Sequence, residues 1–190
     1  MKRSLRWLAS MLALLLPFAA AAQQQGLEID IVGGNASATP IAVVPMPYQG
    51  GAAAPPTDIA EVVRNDLNRS GQFRGLPVEQ MTAKPSKGSE ISYPDWRALN
   101  QDYIVVGRVA DAGAGSYRVE YELFDVAKQQ RLLGFALTAR SNAMRDVAHQ
   151  IADAVYEKIT GVRGAFFTRI AYVTATGLGR GSNFALMVAD

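Results

Sequence analysis

YIVVGRVADAGAGSYRVEYELFDVAKQQRLLGFALTAR, residues 103–140, holds three apolar-rich runs separated by two short connections. In the middle run Tyr117, Val119, Tyr121 and Leu123 alternate with Arg118, Glu120 and Glu122. That is the period of a strand with one face buried and the other in water. Residues 103–110 and 131–140 read as strands on either side. The connections at 111–115 and 125–130 are too short for a crossover, so the three strands form an antiparallel meander.

Outward from the meander, apolar spacing changes from two to three and four. Met144, Val147, Ile151, Val155 and Ile159 mark the buried stripe of a helix over 143–160, with Asn142 as its expected cap and Gly161 at its end. Upstream, residues 94–100 suit a short helix with proline in its first turn. Residues 81–93 are polar and proline-containing and read as a loop, and 73–76 as a brief strand. Residues 57–71 predict a second long helix. Asp58 and Glu61 have capping-box spacing, Ile59, Val62, Val63 and Leu67 share a face, and Gly71 stands where a left-handed residue ends a helix. The continuous apolar run at 41–46 is the pattern of a strand covered on both faces, closed by Pro45 and Pro47. Loop follows at 48–56. The sequence of elements predicts an α/β fold of the α+β type, a mixed β-sheet with helices packed on one face. Residues 33–164 are long enough to hold one core.

Two segments fall outside that core. At 168–190 a strand-like alternation, a glycine-rich tip from Gly177 to Gly181 and a second apolar run read as a β-hairpin. A lone hairpin is marginal in water, so it needs neighbours, and Ile170, Tyr172, Phe184 and Leu186 are expected to be exposed and to promote association. At 23–32, Leu27, Ile29 and Ile31 alternate with Glu28 and Asp30, and Val32 closes the run before Gly33. Two readings stay open for this segment: an edge strand of its own domain, or a strand that pairs with a partner by β-augmentation.

The chain has 190 residues, of which 49% are hydrophobic and 19% charged, the balance of a folded globular protein. Residues 1–22 read as a signal peptide. Lys2, Arg3 and Arg6 form a basic start, 7–16 are apolar, and Ala20, Ala21 and Ala22 suit cleavage between Ala22 and Gln23. The apolar run falls short of the roughly 20 residues of a membrane span. An exported chain with no membrane insertion after cleavage is the expectation. Losing three cations takes the formal net charge from +2 to −1, which leaves no basic surplus to recruit nucleic acid. No cysteine is present, so disulfide and thiol chemistry are excluded.

Catalytic groupings are sparse. His149 is the single histidine; lying one position beyond the core-facing Ala148, it is expected to be a partly exposed structural residue. Glu120 and Glu122 share a strand face, the arrangement of a paired-carboxylate site, yet alternation alone explains them as a solvated face, and no nucleophile, base or orienting group joins them. The loop at Gly177–Gly181 lacks the Gly-Lys-Ser/Thr ending of a phosphate loop. Trp96, Tyr103, Tyr117, Tyr121, Phe124 and Phe135 fall mostly on inward faces, where core packing is expected. No catalytic residue, metal ligand or cofactor site is assigned, and no enzymatic activity is expected.

The stretches IAVVPM, DIAEVVRNDLNRSGQFR, YPDWRALNQDYIVVGRV, RLLGFALTAR and DVAHQIADAVYEKITGVRGAFFTRIAYVT together resemble the TolB family, the periplasmic component of the Tol–Pal system of Gram-negative envelopes. The resemblance covers the chain from Gly26 onward. It implies an N-terminal α/β domain followed by a six-bladed β-propeller, so residues 165–190 would be the first two strands of an incomplete first blade and the chain a truncated product or fragment. It also implies that the mature N-terminal segment engages the C-terminal domain of the inner-membrane protein TolA, through Leu27, Glu28, Ile29, Asp30, Ile31 and Val32 here. The lipoprotein Pal binds the propeller in the family, at positions outside these residues. The function implied is a non-enzymatic link between TolA and Pal, serving outer-membrane integrity and constriction during cell division. The competing reading is the leading part of an exported propeller-bearing hydrolase whose catalytic domain is missing. A stand-alone ligand-binding domain is disfavoured, because no set of polar residues suggests a pocket.

Overall fold

Ile41, Ala42, Val43 and Val44 are wholly shielded from water, because β1 (Thr39–Val43) runs through the middle of a sheet covered on both sides. The computed structural model describes residues 38–51, 53–177 and 183–189, all within the unit Gly33–Asp190. Six strands form the main sheet, in the order β3 (Phe73–Gly75), β1, β4 (Tyr103–Gly113), β5 (Ser116–Asp125) and β6 (Gln130–Arg140), with the two-residue β2 (Tyr48–Gln49) paired to the far half of β4. β2 lies where the sequence suggested only loop.

The parallel part of the sheet is built first. α1 (Ile59–Arg69) carries the chain from β1 to β3 (Phe73–Gly75), which pairs with β1 in parallel, Thr39 opposite Phe73. As the spacing predicts, Asp58 caps α1 and its carboxylate accepts from Glu61 N–H at 3.0 Å. Such a cap stabilises a helix by about 1 kcal/mol. Gly71, at φ +72°, takes the left-handed turn that releases the chain toward β3. β4 (Tyr103–Gly113) lies parallel to β1 on its other side, Ile41 opposite Tyr103.

The antiparallel part follows the predicted meander. β5 (Ser116–Asp125) pairs with β4, with an irregularity at Asp111/Gly113, and β6 (Gln130–Arg140) pairs with β5, with another at Leu123/Phe124. Tyr117, Val119, Tyr121 and Leu123 are buried against the helices, as their alternation requires. β6 leads through a 3-10 turn at Ser141–Ala143 into α3 (Met144–Thr160). Here the expected cap fails. Ser141 N–H still donates to Gly115 at 3.3 Å, Asn142 lies inside the 3-10 turn, and the cap position falls to Ala143, which makes no side-chain cap bond. Gly161 closes the helix at φ +74°.

Each face of the sheet has its own apolar cluster. α1 and α3 pack on one face, over Ile41, Val43, Val105, Val119 and Leu123, with Val63, Leu67, Val147, Ile151 and Val155 facing them. On the other face, α2 (Tyr93–Ala98) and the preceding segment bring Leu76, Met81 and Trp96 onto Ala42, Val44, Ile104, Val106 and Phe124. This second layer covers β1, β4 and the Phe124 end of β5. The rest of β5, with β6, stays open to water on the same face, and the polar side chains gather there.

After α3 the chain crosses a short connection to β7 (Ile170–Thr176) and β8 (Asn183–Ala189), an antiparallel pair that forms a separate two-stranded sheet. Asp153 anchors the connection. Its carboxylate accepts from Phe166 N–H at 2.7 Å and from Phe167 N–H at 3.1 Å. Gly164 presses against the same carboxylate, and a Cβ there would collide with it.

Candidate functional site

Ala22, Gln23, Leu27, Glu28, Ile29, Asp30, Ile31 and Val32, the cleavage and partner-binding positions expected from the sequence, lie outside the described residues. Within the described residues three places combine chemistry with access: the open polar face of the sheet, the His149 cluster and the terminal hairpin.

On the polar face each glutamate is committed to arginine. Glu120 pairs with Arg118 at 3.0 Å and with Arg108 from the neighbouring strand. Glu122 pairs with Arg131 at 3.0 Å and accepts from Gly88 N–H at 2.8 Å. The Arg118 hydrogen bond comes first among the causes that hold the Glu120 carboxyl below its ordinary value. Each carboxylate is thus occupied by an arginine partner. The side chains border a shallow groove of about 450 Å³ over Gly134 and Ala136. The alternation of β5 had placed both glutamates here correctly as a solvated face; the arginines of β4 and β6 complete it.

His149 is a correction. Expected to be partly exposed, its side chain is only 5% exposed, with Nδ1 2.6 Å from Oδ2 of Asp66, itself 3% exposed. Arg69 holds the other Asp66 oxygen at 2.6 Å. The signal was present in α1: Asp66 sits three residues after Val63, on the apolar stripe, and a buried acid calls for a partner. The pair forms a buried polar bridge between α1 and α3. Next to it a small cavity of about 250 Å³ is lined by Asp146, His149, Phe167, Thr168 and Arg169. Among the described residues no three histidine, cysteine or acidic side chains gather to hold a metal.

The hairpin is apolar on both faces. Val173, Phe184, Leu186 and Val188 share one side of the ladder, and Ile170, Tyr172 and Met187 the other. Every residue of both strands is exposed, Phe184 and Leu186 each to 72%. The expected exposure of Ile170, Tyr172, Phe184 and Leu186 is found. Phe135, expected in the core, is 55% exposed on the outermost strand of the main sheet.

The profile of the TolB amino-terminal domain matches residues 27–132. The chain belongs to the TolB family. The Tol-Pal system protein TolB of Xanthomonas euvesicatoria pv. vesicatoria (strain 85-10) is 70% identical over all 190 residues, as is that of Xanthomonas campestris pv. campestris (strain B100). The chain spans 43% of the length of each of these relatives. Among solved structures, TolB from Acinetobacter baumannii superposes with a TM-score of 0.68 at 32% identity, over 85% of this chain and 38% of that one. TolB membership accounts for the mixed sheet, its helices and the hairpin that follows. No helix among the described residues is long and apolar enough to cross a membrane.

Proposed function

We propose that this chain works as a non-enzymatic interaction protein of the Tol–Pal system in the periplasm, linking TolA at the inner membrane to Pal at the outer membrane for envelope integrity and constriction at division. The match to the TolB amino-terminal domain over residues 27–132, beside relatives named Tol-Pal system protein TolB, carries the reading. The polar residues support it in a second way, because Glu120, Glu122 and Asp66 are all engaged by arginine or histidine.

In this reading residues 1–22 are a cleaved signal peptide, residues 33–164 the N-terminal α/β domain and residues 165–190 the first two strands of a propeller blade. A hairpin apolar on both faces suits a blade, which is packed between neighbours on each side. Contact with the C-terminal domain of TolA runs through Leu27, Ile29 and Ile31, with Glu28, Asp30 and Val32 completing the strand, and Pal engages the propeller.

The test compares two chains, one beginning at Gln23 and one at Gly33, for binding to the TolA C-terminal domain by calorimetry. Loss of binding on removing the ten residues is the expected result. Equal binding by both would overturn the assignment and move the contact to the α/β surface.

A further inference from the structure

β6 has an open edge: β5 takes one side of it, and no described strand takes the other. The main-chain groups that line this edge follow from the register. Ser141 N–H donates to the Gly115 carbonyl, which makes residues 115 and 141 a hydrogen-bonded pair of the ladder. Bonded and non-bonded pairs alternate along an antiparallel ladder. Tyr117 with Ala139, Val119 with Leu137 and Tyr121 with Phe135 are therefore bonded pairs. Ser116 with Arg140, Arg118 with Thr138, Glu120 with Ala136 and Glu122 with Gly134 are not. Gly134, Ala136, Thr138 and Arg140 thus turn their N–H and C=O groups away from β5, toward solvent.

Proteins usually blunt such an edge with proline, lysine, a bulge or a covering element. Residues 133–140 contain neither proline nor lysine, and the irregularity at Leu123/Phe124 lies before them. The two faces beside the edge differ in chemistry. On the helix side Phe135 stands largely exposed between the half-buried Leu133 and Leu137. On the other side Gly134, Ala136 and Thr138 are small, and Arg131 and Arg140 flank them. Arg140 forms no ion pair among the described residues, and Arg108, Arg118, Arg131 and Arg140 together outnumber Glu120 and Glu122.

We propose that β6 is an acceptor edge for an extended segment of a partner protein in which apolar residues alternate with acidic ones. The apolar side chains extend the stripe of Leu133, Phe135 and Leu137, and the acidic ones meet the arginine surplus on the opposite face. Main-chain bonds to Gly134, Ala136 and Thr138 supply the attachment. Two β6 edges laid together would align two arginine-rich faces, so charge disfavours a second copy as the occupant.

The probe is a fluorescent peptide, Val-Asp-Val-Glu-Val-Asp-Val, titrated into the chain by anisotropy beside a version with lysine at the acidic positions. Only the acidic peptide is expected to bind, and it should protect the Ala136 and Thr138 amides from hydrogen exchange. Ala136→Pro removes one outward N–H without touching the bonds to β5, and should weaken binding about tenfold. Arg140→Glu should weaken it about threefold and serves as the second variant if Ala136→Pro disturbs the far-UV spectrum. Binding that neither variant alters, equal binding of the lysine peptide, or no binding would each overturn the proposal. So would protection of the same amides by self-association alone, read from sedimentation as the chain is concentrated.

Discussion

Asp66 and His149 stand 83 residues apart in sequence, and their side chains meet at 2.6 Å inside the main core, tying α1 to α3. Each gives the other a partner in the core, where a polar group stranded without one costs about 1–3 kcal/mol. Asp66→Ala and His149→Ala should each lower unfolding stability by about 2 kcal/mol. The double variant should lose clearly less than the sum, with a coupling of about 1 kcal/mol or more. Urea unfolding of the four proteins measures this. Additive losses would show that the two residues act independently.

Acid should release the polar face. Arg118 first, and Arg108 with it, hold the Glu120 carboxyl below its ordinary value of 4.5. A carboxylate with a depressed folded-state pKa adds stability above its unfolded value, and that stability is lost as pH falls through the folded one. Glu120→Gln should therefore be less stable than the parent at pH 7 and converge with it as pH drops below about 4.5. The side chain is one-third exposed, so the difference is small and shrinks in salt. A gap in urea midpoint that stays constant from pH 7 to pH 3 would count against this.

The opposite limb belongs to Tyr121. Burial pushes its phenol up to about 12, from an ordinary value of 10.0. Its neutral form is favoured in the folded state, so its contribution is complete below pH 10 and is lost as pH rises toward 12. Tyr121→Phe should flatten that alkaline fall in stability. An unchanged slope between pH 9 and pH 11.5 would assign the fall to other groups.

Asp153 gives a third handle, on the connection to the hairpin. It receives two backbone N–H groups, from Phe166 and Phe167, so Asp153→Ala frees both at once. Trypsin should then cut at Arg163 and Arg169 several-fold faster, while β1 to α3 resist as before. Gly164→Ala should act in the same direction, because its added Cβ collides with that carboxylate. Unchanged cleavage in both variants would show that the connection is held by something else.

How far this was readable beforehand depends on where each signal resides. The meander was legible because Tyr117 to Leu123 carry their own period, and a one-residue slip would turn every apolar side chain outward. The cover on both faces of β1 was legible in four consecutive aliphatics at 41–44. The parallel partners of β1 were not, because nothing local in Thr39–Val43 names Phe73–Gly75 on one side and Tyr103–Gly113 on the other. The Asn142 cap was misread because residues Ser141–Ala143 form a 3-10 turn, which moves the cap position to Ala143. His149 was misread because its partner lies on another helix. Phe135 shows the remaining limit: alternation gives the face on which a side chain lies, and only the order of strands shows that β6 is an edge.

The hairpin yields the last prediction. Val173, Phe184, Leu186 and Val188 form an apolar face exposed to between 60% and 72%, and the reverse face carries Ile170, Tyr172 and Met187. A contiguous patch of this kind drives association unless something covers it. Replacing both Phe184 and Leu186 with serine removes the two largest side chains from one face without altering a main-chain bond. The doubly substituted chain should sediment as a smaller species than the parent at the same concentration. Its core melting should move by less than about 2 °C, because surface changes away from the core cost within about 0.5 kcal/mol. Ala136→Pro, on the main sheet, provides the contrast, since it leaves the hairpin intact. If the serine variant still associates and Ala136→Pro does not, the open edge of β6 rather than the hairpin joins the copies.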